Sequence, residues 1–137
     1  MADESTRRNL VMILARDLTS RLATPCFVVD ADGTLAYYNE AAEVVLGRSY
    51  AESGELRSGE WAAAWAPTDL DGNDVALEDL PLGIAFRKGR AAHRALCITG
   101  ADGVAREIEV TAFPLCTRPD QIEGAIAVFW ERPDSSA

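Results

Sequence analysis

One histidine, one lysine and three cysteines are all that this 137-residue chain holds of those types. His93, standing alone, excludes multi-histidine metal sites and leaves no second base for a relay. Cys26, Cys97 and Cys116 are odd in number and lack CxxC spacing, which argues against an extracellular disulfide scaffold and for the cytoplasm. Basic residues are outnumbered, 13 against 22 acidic, and the resulting charge of −9 repels polyanions. Neither nucleic acid nor an anionic membrane is therefore expected as a partner. Leu10 to Ala15, the longest apolar run near the start, falls far short of the roughly 18 residues of a membrane span, and no signal peptide or anchor is visible. Walker, GxGxxG, GxSxG and HExxH patterns are all missing, so an enzyme is not expected.

What is present is an ordinary globular mixture, 48% hydrophobic and 26% charged, of a length that suits one domain. The spacing predicts an amphipathic helix over 3–22, with Val11, Leu14, Leu18 and Leu22 in one apolar stripe. Two covers for that stripe are open: the chain's own domain, or a second copy. Pro25 biases Thr24 out of the helical region and ends the element. A hairpin follows, Cys26 to Asp30 and Leu35 to Tyr38 around Ala31-Asp32-Gly33. Asn39 is placed to cap a two-turn helix ending at Gly47, with Ala42, Val45 and Leu46 inward. A loop is expected over 48–59. Ser58 is read as the cap of a short helix carrying Trp61 and Trp65, stopped by Pro67. Asp79 is read as the cap of another, with Pro81 in its first turn, Leu82, Ala85 and Phe86 buried, and Gly89 at its end.

The last third reads as strands: 92–99, 104–113 and 124–131, with an irregular stretch over 114–123. Ile108, Val110 and Ala112 alternate with Glu107, Glu109 and Thr111, the pattern of a strand with one wet face. The final strand differs, because Ile126, Val128 and Trp130 share one face while Ala125, Ala127 and Phe129 share the other. Neither face tolerates water. One must look into the interior, and the other needs a cover, either the N-terminal helix or a second subunit. The fold class is thus α+β: a five-stranded antiparallel sheet with short helices over one face. It divides into a flanking helix over 1–23, a domain over 24–131 and a flexible tail over 132–137.

Several fragments then resemble one family. Pro25, Asp30, Asp32-Gly33, Leu35, Tyr37, Asn39, Ala41-Ala42 and Leu46-Gly47 are similar to the opening of a PAS domain, the sensory module of bacterial kinases, phosphatases and transcription regulators. Asp71-Gly72, Glu78 to Leu82, Ala85, Gly89, Asp102-Gly103, Pro114-Leu115 and Gly124-Ala125 resemble a PAS_4-like subgroup. The resemblance covers residues 24–131. It implies a PAS-like sheet with a pocket between its inner face and the short helices, able to hold a small molecule. It also implies signalling by a homodimer or through a partner such as a kinase, phosphatase or transcription regulator. The Asp-x-Thr exit common in effector-linked members is replaced here by Phe129-Trp130-Glu131-Arg132-Pro133, so either a stand-alone protein or the sensor end of a longer one fits.

The pocket candidates are Trp61, Trp65, Leu82 and Phe86 as apolar lining, with Asn39, Cys97 and Thr111 as orienting groups. A filled interior is the competing reading of the same aromatic pair. The dimer or partner surface is assigned to Val11, Leu14, Leu18, Leu22, Ile126, Val128 and Trp130. Cofactor identity is left open. Haem is disfavoured because the helix ending near Gly89 has no histidine, and flavin photochemistry because no cysteine stands in a Gly-Arg-Asn-Cys-like run. Asp69, Asp71 and Asn73 fail as a calcium loop, since Asp74 and Leu80 stand where glycine and a bidentate Glu are needed.

Overall fold

Pro25 and Asn39 delimit the first structural unit. The computed structural model describes residues 4–47, 49, 50, 54 and 56–133, with side chains from Leu10 onward except at 58 and 59. The N-terminal helix α1 runs Glu4–Ser20, two residues shorter at its end than the stripe suggests. Strands β1 (Cys26–Asp30) and β2 (Leu35–Tyr38) form the expected hairpin. Helix α2 (Glu40–Leu46) starts at the Asn39 cap and ends on left-handed Gly47. Much of the expected 48–59 loop, and the tail beyond 133, lie outside the described residues.

Two caps differ from the expectation. Helix α3 spans Ser58–Ala64 with Arg57, not Ser58, as its cap residue; the Glu60 carboxylate accepts the Arg57 backbone N–H at 3.4 Å. Asp79 belongs to a 3-10 turn, Leu77–Asp79, and Leu80 caps helix α4 (Pro81–Lys88). The reason lies in the proline: Pro81 at the first helical position keeps Leu80 extended, at φ −74° and ψ 144°.

Strands β3 (Ala92–Thr99), β4 (Ala105–Arg118) and β5 (Gln121–Glu131) complete a five-stranded antiparallel sheet of order β2-β1-β5-β4-β3. The stretch 114–123, expected to be irregular, is instead a continuation of the β4–β5 ribbon with register shifts near Cys116. Ala92, the first residue of β3, pairs with Ala112, so Pro114 stands where β4 has a single neighbour. In such an edge setting a missing N–H is tolerated. Both outer edges of the sheet are partly closed, β2 by a bridge to Leu56 and β3 by paired backbone bonds between Thr68 and Cys97.

The layers follow from strand parity. Phe27, Val29, Leu96, Ile98, Ile108, Val110, Ala112, Ala125, Ala127 and Phe129 face α2, α3 and α4 and form the main core. Val28 and Ile126 face the other way and pack with Ala15 of α1.

Two polar junctions fasten the layers. The first is Asn39, only 1% exposed. Its side-chain oxygen accepts the Cys26 and Ala42 N–H groups, both at 3.0 Å. Its amide nitrogen donates to the carbonyls of Thr19 (2.9 Å), Leu22 (3.3 Å) and Thr24 (2.9 Å). One side chain therefore holds the end of α1, the start of β1 and the start of α2. The second junction is the β3–β4 turn. The Ala101 N–H bonds to the Leu46 carbonyl at 2.8 Å, and Arg106 donates to the Val45 carbonyl at 2.9 Å, so the turn satisfies the free C-terminal carbonyls of α2. Asp102 in turn binds Arg106 at 3.2 Å.

Asn39→Ala leaves these backbone groups without a partner in a buried place, and we expect a loss of about 2–4 kcal/mol, read as a lower urea midpoint with unchanged m-value. The Arg106 guanidinium and then the Val104 N–H hold the Asp102 carboxyl below its usual 3.8. A lowered folded value stabilises above the unfolded one and is lost as pH falls through the folded one. The melting temperature should therefore drop on acidification below 3.8, and Asp102→Asn should flatten that part of the profile relative to wild type.

Candidate functional site

Between the inner sheet face and the short helices lies a cavity of about 70 Å³. Its floor is Phe27, Leu96, Ile98, Ile108, Val110 and Phe129, with the small Ala127 among them. Its roof is Trp61 and Trp65 of the α3 region, Leu46 at the end of α2, Pro67, and Leu80 to Leu82 at the start of α4. Aromatic packing holds the walls. Phe27 meets Tyr38, Trp65 and Phe129 at ring-centroid distances of 5.6, 5.4 and 5.5 Å, within the range of favourable tilted and edge contacts. Helix α4 is drawn against the 3-10 turn because Gly83 has no Cβ; one added there would collide with the Leu77 carbonyl. That close approach sets the position of Leu80 to Leu82.

Of the seven pocket candidates, three line this cavity: Trp61, Trp65 and Leu82. The other four lie elsewhere, each for a physical reason. Asn39 is spent on the junction described above. Phe86 is buried, but its ring packs under the β1–β2 turn, where Gly33 at φ 81° leaves room that a Cβ would take. Cys97 and Thr111 have the wrong parity: Leu96 and Ile98, Val110 and Ala112 point inward, which turns Cys97 and Thr111 to the outer face. The sequence reading missed Phe27, Leu96, Ile98, Ile108, Val110 and Phe129. The signal was there, since Ile108 and Val110 were already on the dry side of the alternation.

The outer face is divided in two. Helix α1 covers one end, seated through Met12, Ala15 and the buried Thr19. Ile126 is therefore beneath α1 and is no open surface, while Val128 is partly covered. The leucine stripe points away, leaving Leu14, Leu18 and Leu22 exposed at 58, 57 and 42%, together with Leu10 and Ile13; Val11 is half-buried. At the other end Trp130, 40% exposed, lies 6.0 Å from the His93 ring. Around it His93 pairs with Glu109 at 3.0 Å, and Arg132 with Glu109 at 3.2 Å and Glu107 at 3.4 Å. A larger groove of about 430 Å³ runs between α1 and β2, but half-buried and exposed residues such as Ile13 and Arg16 form its walls. The Arg16 guanidinium sits 4.8 Å over the Tyr37 ring there.

Among the described residues, neither the histidine nor any cysteine lines the interior cavity. His93 is on the outer face, and Cys116 is exposed on the β4–β5 ribbon. Cys26 is buried beside Asn39, where desolvation pushes its thiol up. No residue lining the cavity fits as an axial haem ligand or as a thiol against a flavin. Asp69 accepts the N–H groups of Asp71 and Asn73, both at 2.9 Å, so its oxygen serves its own turn. Among the described residues no three His, Cys, Asp or Glu side chains gather as a metal site, and no helix is long and apolar enough to cross a membrane.

Comparison with known proteins agrees with this architecture. The chain is similar in fold to the Rhodobacter sphaeroides LOV protein, with a TM-score of 0.71 at 16% identity, covering 92% of this chain and 70% of that one. It is also similar to the LOV domain of a blue-light activated histidine kinase from Erythrobacter litoralis, with a TM-score of 0.63 at 19% identity and coverages of 83% and 100%. The PAS domain of Bordetella pertussis BvgS aligns with a TM-score of 0.59 at 13% identity, covering 91% of this chain and 88% of that one. No curated protein matches. A family model described as PAS fold matches residues 20–136. With the sheet order, the roof of short helices and this match along most of its length, the chain belongs to the PAS family.

Proposed function

We propose that the domain senses a small molecule in the interior cavity and signals by changing how α1 is presented to a second copy of the chain. One observation carries this reading: β5 borders both compartments. Ala127 and Phe129 line the cavity, while Ile126, between them and Ala125 in sequence, packs on Ala15 of α1. A ligand that moves β5 by a fraction of a side chain moves the seat of α1 with it. Asn39 supplies a second link, because it binds the end of α1 and the start of α2, whose last residue Leu46 is in the cavity wall. The exposed Leu10, Leu14 and Leu18 are the apolar surface on which a second α1 would pack. A kinase, phosphatase or transcription regulator would then read the arrangement of the pair.

A second reading draws on the small size of the cavity and the aromatic cluster of Phe27, Tyr38, Trp65 and Phe129 around it. In that case the domain is a ligand-free interaction module, and association is its whole activity.

Both readings need the leucine face. Burying one leucine contributes roughly 1.5–3 kcal/mol, so Leu14→Asp with Leu18→Asp should weaken self-association at least about 100-fold. Circular dichroism should be unchanged, since neither side chain is in the core. Light scattering across a concentration series reads the effect. A wild-type chain that stays monomeric throughout, or a double variant that associates as well as wild type, defeats the dimer.

A further inference from the structure

We propose that the interior cavity takes an uncharged, wholly apolar molecule smaller than benzene, such as a short hydrocarbon or a gas of comparable size; this rests on the reading of that cavity as the sensory site. The first ground is chemical. No nitrogen or oxygen is exposed to the cavity. The Trp61 indole N–H, one of the two indole donors among the lining residues, is engaged by the Gly33 carbonyl at 2.8 Å. The two arginines of inward parity on β3 and β4 are also occupied: Arg94 reaches the Asp79 carbonyl, and Arg106 binds Asp102 and the Val45 carbonyl. A carboxylate or phosphate entering this space would lose its hydration and find no partner.

The second ground is size. An apolar cavity of about 150 Å³ stays dry and takes up benzene or xenon, whereas this one measures about 70 Å³. Ala127 helps to set that limit, as the smallest side chain on the floor. Of the described residues lining the cavity only Pro67 is partly exposed, and it follows Ala66, held left-handed at φ 41°. A small apolar molecule can pass such an opening without shedding a hydration shell.

The test uses the purified full chain and three probes: xenon, cyclopropane and propionate. Proton–nitrogen correlation spectra should show saturable shifts with xenon and cyclopropane at the indole groups of Trp61 and Trp65 and the amides of Ile98 and Phe129. The melting temperature should rise with probe concentration by mass action. Propionate, which must bury its charge, should bind about 100-fold more weakly or worse. Ala127→Leu should weaken cyclopropane binding about 10-fold or more by filling the floor. Val110→Ala, which enlarges the space and does not depend on overpacking, should admit benzene.

Propionate binding as tightly as cyclopropane overturns the proposed ligand class and leaves the cavity as a ligand site. No saturable shift with any probe, in wild type and Val110→Ala alike, overturns the class and the sensory reading together. Cyclopropane binding undiminished in a folded Ala127→Leu places the molecule elsewhere and also overturns the proposal.

Discussion

Strand β5 cannot leave either of its faces in water, and most of the molecule is arranged around that constraint. It lies at the middle of the sheet, between β1 and β4. Ala125, Ala127 and Phe129 demand a cover on one side, met by α2, α3 and α4; Ile126 and Val128 demand one on the other, met by α1. Apolar area removed from water stabilises at roughly 25 cal/mol per Å², so a strand greasy on both faces draws in two layers. A sheet with one solvated face would have had no use for α1. In this protein α1 is part of the packing, and its seat is the outer face of β1 and β5.

Fastening by hydrogen bonds adds direction to a packing that is otherwise non-directional. Asn39 gathers backbone groups from α1, β1 and α2, while the β3–β4 turn closes the other end of α2. A two-turn helix is marginal by itself. Pinned at both ends and buried along Ala42, Val45 and Leu46, it becomes a rigid strut between the leader helix and the cavity wall. The exposed ion pairs around Trp130 are of a different kind, since such surface pairs contribute little to stability. They keep that end of the outer face polar, which leaves the leucine side of α1 as its apolar counterpart.

The order of elements was largely legible from residue spacing. Asn39, Gly47, Gly89 and the Pro25 boundary each act through local stereochemistry, and local stereochemistry survives into the fold. The errors were of two kinds. Asp79 and Ser58 looked like caps by residue type, but Pro81 moved one boundary by forcing Leu80 extended, and α3 began one residue early. The 114–123 stretch looked irregular because a proline normally interrupts a strand; its tolerance depends on β3 beginning only at Ala92, opposite Ala112, which is a property of the partner strand. In the site, Cys97 and Thr111 were chosen for their chemistry against the parity of their own strands, while the inward Ile108 and Val110 were passed over as mere core.

Alone, then, the chain's order of residues determined the fold class, the family, the two-sided last strand and the absence of motifs for common chemistries, because each depends on near neighbours and on period. Tertiary structure decided which stripe of α1 meets the sheet. A helix can approach closely only with small or flexible side chains beneath it, so Met12 and Ala15 face Val28, Ile126 and Gly124 while Thr19 is buried against the Asn39 junction, and the bulkier leucines are turned outward. It likewise decided the shape and dryness of the cavity, which arises from side chains brought together from seven separate segments and is written in none of them singly.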